Sequence, residues 1–460
     1  MGSGHFHGLD WAIIAAYFAL MTWIGHRVRG RQDSAYEYFM ASRTLPWYAV
    51  SASIVATAIS GVTFIGVPAL VFAEGGDFRY LQFSLAGLIS KWILAQWILP
   101  RLYERHHSSP YEFIRDRFGP AFGRISALLF FVGAVLGQGV RVFAVALVLE
   151  LLTGLSLLWC VVIIVGFSTL HTWLGGIRAV VWTDVVQFFV FVAGGLLAVA
   201  FVSGAYPGGF AALVEAGQAA GKTRTLDFSA DPLLNFTFWT GVLAMPVQYL
   251  AAFGTDQVHT QRMLCCRNIR HARLAVYASN AAELVAVVFV FVGLALWGYY
   301  ELRPLEPSFA GLVQQATDRI FPAFILTELP TGLRGLLVAA VFAAAMSSLD
   351  SVLAALSQTT LTIFHRGYGD RTLSDARAVV LSRALGAGWG LLLGAFALSL
   401  AGTDRGLIPL AFAMTAYTYG PMLGLLLLAL FVPAGGAVNA PLGVGASLLG
   451  VLVLTSRPEL

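Results

Sequence analysis

Residues 336–358 read LLVAAVFAAAMSSLDSVLAALSQ, and they place polar side chains in the middle of an apolar helix that we predict over about 337–364. Four polar residues lie at its centre: Ser347, Ser348, Asp350 and Ser351. Because an ionisable group at membrane depth is costly, it normally faces protein or a water-filled cavity and marks an ion or substrate path. With Asp184 in another span and a glycine-interrupted span at Ser60–Gly61, this cluster predicts an ion-coupled transporter.

The composition excludes an ordinary soluble protein. Of the 460 residues, 58% are hydrophobic and 11% are charged, whereas a soluble domain carries about 25% charged residues. Segments long enough to cross about 30 Å of hydrocarbon begin near residues 10, 46, 80, 121, 155, 180, 233, 273, 333, 378, 406 and 437. We therefore expect an all-α polytopic membrane protein with about twelve transmembrane helices, in contact with the lipid bilayer.

The positive charges predict the orientation. About 18 of the 28 Lys and Arg residues lie in alternate connections, at 26–45, 101–124, 174–179, 260–274 and 365–384. Positively charged loops are retained in the cytoplasm, so both termini are predicted to lie outside, in the inner (plasma) membrane. The net charge of +4 reflects this topology and gives no reason to expect a nucleic-acid partner. Lys91 falls within a span, where we expect its side chain to snorkel toward the cytoplasm.

Two spans are irregular in a corresponding way. The second, VSASIVATAISGVTFIGVPALVF, has Ser60 and Gly61 at its centre, and the seventh, FTFWTGVLAMPVQYLAAFG, has Gly241 and Pro246. Paired broken helices indicate a transporter's midplane binding site. An unwound turn at 58–61 would expose backbone groups that an ion and a polar ligand can satisfy. The alternative is that the glycine only allows close helix packing.

The irregular spans predict two five-helix repeats with additions at each end. The predicted units are 1–45 (an extra helix and cytoplasmic loop), 46–203 (the first repeat), 204–232 (an outer loop), 233–432 (the second repeat) and 433–460 (a C-terminal helix).

The serines of the polar helix share one face. Ala344, Ser347, Ser348 and Ser351 are spaced i, i+3, i+4 and i+7, and Asp350 lies beside them. Hydroxyls, carbonyls and a carboxylate are hard oxygen ligands suited to an alkali cation. The alternative is that the serines bond back to carbonyls of their own helix.

Two further charged residues lie within spans. Asp184 is the expected charged partner of an ion on the serine helix; it could instead pair with a buried Arg or Lys, or act as a protonated carboxyl in a proton relay. Arg141 could anchor a carboxylate through its planar fork. Its alternatives are a structural pair with Glu150 or Asp350, or snorkelling.

Five motifs in this order resemble the sodium:solute symporter family. They are SGVTFIGVPALVFAEG at 60–75, SPYEFIRDRFG at 109–119, TWLGGIRAVVWTDVVQ at 172–187, DQVHTQRML at 256–264 and AAAMSSLDSVLAALS at 343–357. The resemblance implies a LeuT-like 5+5 inverted-repeat fold with an extra N-terminal helix, and alternating access driven by Na+. Members of the family move sugars, amino acids, sialic acids, vitamins, iodide and monocarboxylates.

The resemblance also implies site residues. The first sodium site would use the carbonyls of Ala56, Ile59 and Ala344 and the hydroxyls of Ser347 and Ser348. A second sodium site, present in some members, would fall on Asp184, Ser347, Asp350 and Ser351. Some members have serine in place of Asp350, so this carboxylate could strengthen the second site or bring in a proton.

The substrate residues implied by the family lie on the broken helix and its neighbours. They are Ser60, Gly61, Thr63, Gln82 and Phe83, with Gln248, Tyr249 and Tyr417 as further candidates. A half-helix amino terminus near Gly61 favours an anionic group, and with Arg141 this predicts a carboxylate-bearing solute of the sialic acid, monocarboxylate or amino acid type. The expected protein is a monomeric symporter and not an enzyme. A proton-coupled symporter and a solute sensor acting with a separate partner are the alternatives.

Overall fold

The computed structural model describes residues 6–30, 32–104, 107–231, 234–364, 374–402 and 407–432, together with positions 443, 445–447 and 449. Apart from an isolated bridge between Leu45 and Cys266, these described residues form helices and connecting loops, with no strand. The predicted all-α fold is therefore confirmed. The predicted C-terminal helix at 433–460 lies almost wholly outside the described residues.

The helices follow one another with short connections. Up to residue 205 they are α1 Gly8–Val28, α2 Ala35–Met40, α3 Trp47–Ala58, α4 Gly61–Phe72, α5 Phe83–Ile93, α6 Leu99–Glu104, α7 Pro110–Phe118, α8 Pro120–Thr153 and α9 Leu157–Ala205. The later helices are α10 Gly209–Ala219, α11 Met245–Gly254, α12 Gln257–Leu264, α13 Ile269–Ala278, α14 Ala281–Leu302, α15 Pro307–Gln315, α16 Ile320–Thr327, α17 Leu333–Phe364, α18 Asp375–Ser399 and α19 Leu407–Phe431. Short 3-10 turns lie at Ala41–Arg43, Phe78–Gln82 and Thr317–Arg319, and π-helical turns at Leu94–Ile98 and Thr240–Ala244.

Seven helical stretches of the described residues are long and apolar enough to cross a membrane, and the bent pair α3–α4 adds an eighth. One of the seven, α9, has 49 residues and breaks at Gly176, so it supplies two of the predicted spans. Two shorter apolar helices, Thr240–Gly254 and Tyr417–Phe431, coincide with two more of the predicted spans. The first eleven predicted starts lie close to these elements, and the twelfth, near residue 437, falls outside the described residues.

The two spans predicted to be broken differ in the structure. The second span is two helices, α3 and α4, bent by 56°. The seventh span stays continuous and instead contains the π-helical turn Thr240–Ala244 just before Pro246. Proline lacks a backbone N–H, and a π-bulge accommodates such a fault within a continuous helix. Both spans are therefore irregular, as predicted, but only the second span is broken into two helices.

Helix α17 lies at the centre of the bundle. It packs against α1, α3, α8, α9 and α18, and nearly all of its side chains are buried. Its polar residues therefore face other helices, as the cost of exposing them to lipid requires.

Gly176 allows α9 to break within the bundle. Its φ of 56° and ψ of −166° lie in a region that essentially only glycine adopts. A Cβ at this position would also lie 2.6 Å from the carbonyl oxygen of Tyr38. The second half of α9, beyond the break, carries Asp184, and α9 packs against α17.

The loop after α10 holds the end of the broken helix. Lys222 is buried, and its Nζ donates hydrogen bonds to the carbonyls of Val71 (2.9 Å), Phe72 (3.3 Å) and Ala73 (2.6 Å). These carbonyls lack helix partners because α4 ends there. The lysine therefore caps the carboxyl end of α4 with a positive charge, as the helix dipole favours.

Asp227 organises the same loop. Its carboxylate accepts the backbone N–H of Ser229 at 3.0 Å and pairs with Arg79 at 2.9 Å and Arg224 at 3.1 Å. The Ser229 hydrogen bond and the two guanidinium groups hold the pKa of this carboxyl below its ordinary value of 3.8.

We expect Gly176→Ala to lower the melting temperature of the purified protein, because alanine is strained at this φ and ψ and its Cβ meets Tyr38. Strain of this kind costs about 1 to 3 kcal/mol. The matched control is Gly166→Ala on the same helix, where a Cβ meets nothing within 4 Å. Equal melting temperatures for the two variants would contradict the assigned role of Gly176.

We expect Asp227→Asn to lower the melting temperature at neutral pH. Because the folded pKa of Asp227 is lowered, its stabilisation is present above the unfolded pKa and is lost as the pH falls through the folded pKa. The difference from the unsubstituted protein should thus persist from pH 7 to about pH 5 and shrink below about pH 4. Glu215→Gln, an exposed carboxylate on α10, is the control; a pH-independent difference for Asp227→Asn would contradict the prediction.

Candidate ion and substrate site

The break in the second span leaves backbone groups at membrane depth. Helix α3 ends at Ala58, Ile59 and Ser60 are extended, and α4 begins at Gly61. Ile59 and Ser60 are both buried. In hydrocarbon, such non-helical backbone is tolerated only where protein or a ligand satisfies it.

The serine face of α17 lies opposite this break. Ser347 Oγ donates to the carbonyl of Ala56 at 3.0 Å, and the hydroxyls of Ser347 and Ser348 each lie 3.4 Å from the carbonyl oxygen of Ala344. All four residues are buried. The structure thus brings together four of the five residues predicted for the first sodium site. The fifth, Ile59, lies at the break itself.

The predicted second sodium site has a different arrangement. Asp184 is fully buried, and its Oδ2 accepts hydrogen bonds from Ser53 and, at 3.2 Å, from Nη2 of Arg262. The same guanidinium contacts the hydroxyl of Ser351. Asp184 therefore takes the alternative of a pair with a buried arginine.

Asp350 does not join Asp184. Its Oδ2 lies 2.7 Å from Nδ1 of His171, which is also buried. The four residues predicted for the second site therefore lie in three places. Asp184 and Ser351 contact Arg262, and Asp350 contacts His171. Ser347 lies with the residues predicted for the first site.

Sequence reasoning missed the role of Arg262. It lies in the motif DQVHTQRML at 256–264, and its charge counts among those of a predicted cytoplasmic connection. In the structure its side chain is fully buried. One signal of its burial was available in the sequence. Arg262 lies in a short helix between two spans, directly after five uncharged residues.

A cavity of about 170 Å³ lies beside the break. Six of the predicted substrate residues line it: Ser60, Thr63, Phe83, Arg141, Gln248 and Tyr249. Lys91, His259, Glu283, Thr415 and Tyr419 also contribute to the wall.

Three predicted substrate residues lie outside the lining. The Gln82 side chain bonds to the segment between α10 and α11, donating to Phe236 O and accepting from the N–H of Asp227. Gly61 packs against Val145, where a Cβ would lie 2.2 Å from a methyl carbon, so the close-packing alternative also applies to it. On α19, Thr415 and Tyr419 line the cavity and Tyr417 does not, because residues i and i+4 share a helix face and i+2 does not.

Lys91 corrects one expectation from the sequence. It does not snorkel: its side chain is buried, and its Nζ donates to the carbonyl of Ser279 at 3.0 Å and pairs with Glu283 at 3.5 Å. The lysine lies in the cavity wall because α14 supplies a carboxylate at the same depth.

Arg141 has no such partner. Among the residues that the structure describes, no hydrogen bond or ion pair is made by its guanidinium, although it lines the cavity. The acids considered as structural partners are engaged elsewhere, since Glu150 accepts from the N–H of Leu157 and Asp350 contacts His171. Nearby, the Tyr419 hydroxyl donates to Asp256 at 3.1 Å.

Comparison with known proteins gives a consistent assignment. Residues 38–441 match the model of the sodium:solute symporter family. A putative sodium-dependent multivitamin transporter of Drosophila melanogaster is 30% identical, over 95% of this chain and 73% of its own length. The human sodium-coupled monocarboxylate transporter 2 is 30% identical, over 96% and 71%. The human sodium/iodide cotransporter is 28% identical, over 96% and 69%.

Solved structures show the same fold. A Na+-coupled sialic acid symporter in a substrate-bound, outward-open state has a TM-score of 0.83, with 24% identity over 97% of each chain. A nucleobase-cation-symport-1 family transporter has a TM-score of 0.58, with 15% identity over 94% of this chain and 97% of its own. The fold is LeuT-like. The chain therefore belongs to the sodium:solute symporter family, and it is a transporter that uses Na+ as its co-transported ion.

Proposed function

We propose that this chain imports a small organic monocarboxylate together with sodium, by alternating access across the plasma membrane. The observation that carries the proposal is the guanidinium of Arg141, which lines the central cavity and pairs with no described residue. A buried or half-buried charge is normally paired. A planar guanidinium matches the two oxygens of a carboxylate, so the missing partner is the substrate.

The charges of the cavity favour a single negative charge on the substrate. The wall carries Lys91, Arg141 and Glu283. Lys91 and Glu283 pair with each other. Asp256 is the carboxylate that interacts electrostatically with Arg141, but its two oxygens already accept hydrogen bonds from Val258 and Tyr419, so the guanidinium can still pair with a substrate carboxylate. A zwitterionic amino acid would need a free carboxylate for its ammonium group, and Glu283 is already engaged. This supports the monocarboxylate over the amino acid alternative.

The size of the cavity favours a small solute. An apolar cavity of about 150 Å³ in another protein holds a molecule the size of benzene, and this cavity measures about 170 Å³. In this arrangement of the helices, the space suits a short or singly ringed carboxylate better than a sialic acid.

The first sodium site and the cavity share the broken helix. Ser60 and Thr63, at the amino end of α4, line the cavity, and Ala56 lies one turn earlier on α3. The amino end of α4 adds a partial positive charge that favours an anion. Sodium at Ala56, Ile59, Ala344, Ser347 and Ser348 would thus hold the break in the arrangement that binds the substrate, and a shared preferred state couples the two ligands.

The transport cycle follows from the predicted repeats. The five-helix units 46–203 and 233–432 would rock about the site, with both termini outside as the loop charges indicate. Movement of this kind exposes the cavity alternately to each side.

We expect Arg141→Gln to raise the KM for lactate uptake by at least about tenfold, which corresponds to about 1.4 kcal/mol. Uptake is measured in proteoliposomes with an inward sodium gradient, and lactamide, equal in size but uncharged, serves as the competing solute. Arg141→Lys should retain part of the affinity, because it keeps the charge but loses the fork.

The matched control for Arg141 is Arg124→Gln, an exposed arginine on the same helix. Inhibition by lactamide equal to that by unlabelled lactate, or an unchanged KM in Arg141→Gln, would contradict the carboxylate assignment. Solute binding with no uptake under any gradient would favour a sensor.

We expect Ser348→Ala to weaken sodium binding, because it removes one oxygen ligand without leaving a void that disturbs α17. Sodium-specific thermal stabilisation, measured at constant ionic strength against choline, reports this affinity. The sodium concentration at half of the maximal shift should rise at least about tenfold. The control is Ser357→Ala, whose hydroxyl bonds to Leu353 of its own helix. Unchanged sodium dependence in Ser348→Ala would refute the first sodium site.

A further inference from the structure

The wall of the central cavity contains an ion pair. Nζ of Lys91, on α5, lies 3.5 Å from Oε1 of Glu283, on α14, and both residues line the cavity. The lysine side chain is 2% exposed and the glutamate side chain 20%. A solute in the cavity therefore meets the carboxylate of the pair more readily than the ammonium group behind it.

The junction between α13 and α14 positions the two charges. Helix α13 ends at Ala278 and α14 begins at Ala281. Lys91 donates to the carbonyl of Ser279, in the junction, at 3.0 Å, and Glu283 lies in the first turn of α14. A helix favours a cation at its carboxyl end and an anion at its amino end. The backbone thus determines where each charge of the pair lies.

Each member of the pair is also held by a neighbour that does not depend on the other. Nζ of Lys91 lies 5.2 Å from the centroid of the Phe253 ring, which is within the range of a cation–π interaction. Gly87 leaves space for the carboxylate, since a Cβ there would lie 2.2 Å from Oε1 of Glu283. The pair is therefore a built feature of the cavity wall.

The pair lies in the same part of the cavity as Arg141. His259 interacts electrostatically with both Arg141 and Lys91, and all three residues line the cavity. Among the described residues of the lining, Glu283 is the only acid. Asp256 interacts with Arg141 from outside the lining. A solute whose carboxylate pairs with Arg141 therefore has this ion pair close to its remaining groups.

We infer that Lys91 and Glu283 determine which charge the substrate can carry at the end remote from Arg141. The pair accepts a neutral group there and excludes a second carboxylate or an ammonium group. A second carboxylate is repelled by Glu283 and an ammonium group by Lys91, and such repulsion is strong where water is largely excluded. Attraction to either member would require breaking the pair, which leaves the other charge uncompensated. The inference rests on the proposed function, in which Arg141 binds the substrate carboxylate.

The test compares three carboxylates of similar length that differ at the far end. Succinamate ends in an amide, succinate in a carboxylate and 4-aminobutyrate in an ammonium group, and lactate is the reference. Thermal stabilisation of the purified full-length protein in sodium gives the affinity for each. The unsubstituted chain should bind succinamate at least about tenfold more tightly than succinate or 4-aminobutyrate.

The failure of the inference can be distinguished from that of the proposed function. Succinate or 4-aminobutyrate binding as tightly as succinamate would overturn the inference and leave carboxylate transport intact. Binding of lactate without binding of succinamate would also overturn the inference, because a neutral end group should be accepted. Binding of none of the four solutes would overturn both.

Two reciprocal substitutions test the residues themselves. Glu283→Gln leaves the charge of Lys91 to a ligand, so succinate should become the preferred solute by at least about tenfold over succinamate. Lys91→Gln leaves the charge of Glu283, so 4-aminobutyrate should become the preferred solute. The double variant Lys91→Gln/Glu283→Gln has neither charge and should prefer succinamate. A pair that only joined α5 to α14 would change the melting temperature of these variants and not the order of preference.

The matched control is Glu301→Gln, an exposed carboxylate on the same helix as Glu283, which should keep the order of the unsubstituted chain. Each single variant is a separate test, so one that folds is enough. A folded Glu283→Gln or Lys91→Gln protein that still prefers succinamate would overturn the inference. If neither folds, the double variant decides, and a preference for succinate or 4-aminobutyrate in that protein would overturn the inference.

Discussion

The interruption of the second span at Ile59 and Ser60 is the constraint on which the site depends. Backbone groups freed from a helix in the membrane have no water to bond with. The chain meets this requirement by placing the hydroxyls of α17 opposite the break, where Ser347 donates to Ala56. An alkali cation can use the same oxygens, so the residues that satisfy the break are also those of the proposed sodium site.

The same requirement explains why α17 lies at the centre. A helix with three serines and an aspartate in its middle turns cannot face lipid without cost. Surrounding it with α1, α3, α8, α9 and α18 gives each polar group a protein neighbour. The second half of α9, beyond the break at Gly176, carries Asp184, which shares Arg262 with Ser351 of α17.

The buried charges of the bundle are mostly matched. Asp184 pairs with Arg262, and Lys91 pairs with Glu283. Removing one partner from such a pair is strongly destabilising because it leaves an uncompensated charge. Arg141 differs, since it lines a cavity and pairs with no described residue. Arg141 is therefore the cavity charge for which we propose a ligand as the partner.

Several features of the site could be predicted from sequence because they depend on local spacing. The i, i+3, i+4 and i+7 pattern from Ala344 to Ser351 defines one face of a helix whatever surrounds it. The small and polar residues at the centre of the second span likewise predict a break. The side chains that were misplaced, such as Gln82 and Lys91, are ones whose partners come from distant segments.

By itself, the sequence determined that this is an all-helical membrane protein and where its polar helix lies, because hydrophobicity and helical period act along the chain. The order of its motifs identified the sodium:solute symporter family, and that resemblance implied which serines and carbonyls would bind sodium. Only the tertiary structure decided that Arg262 faces Asp184, that His171 contacts Asp350, and that Arg141 lines the cavity. The pairing of buried charges depends on distances across the bundle, and residues separated by 78 positions, as Asp184 and Arg262 are, meet only when the helices pack.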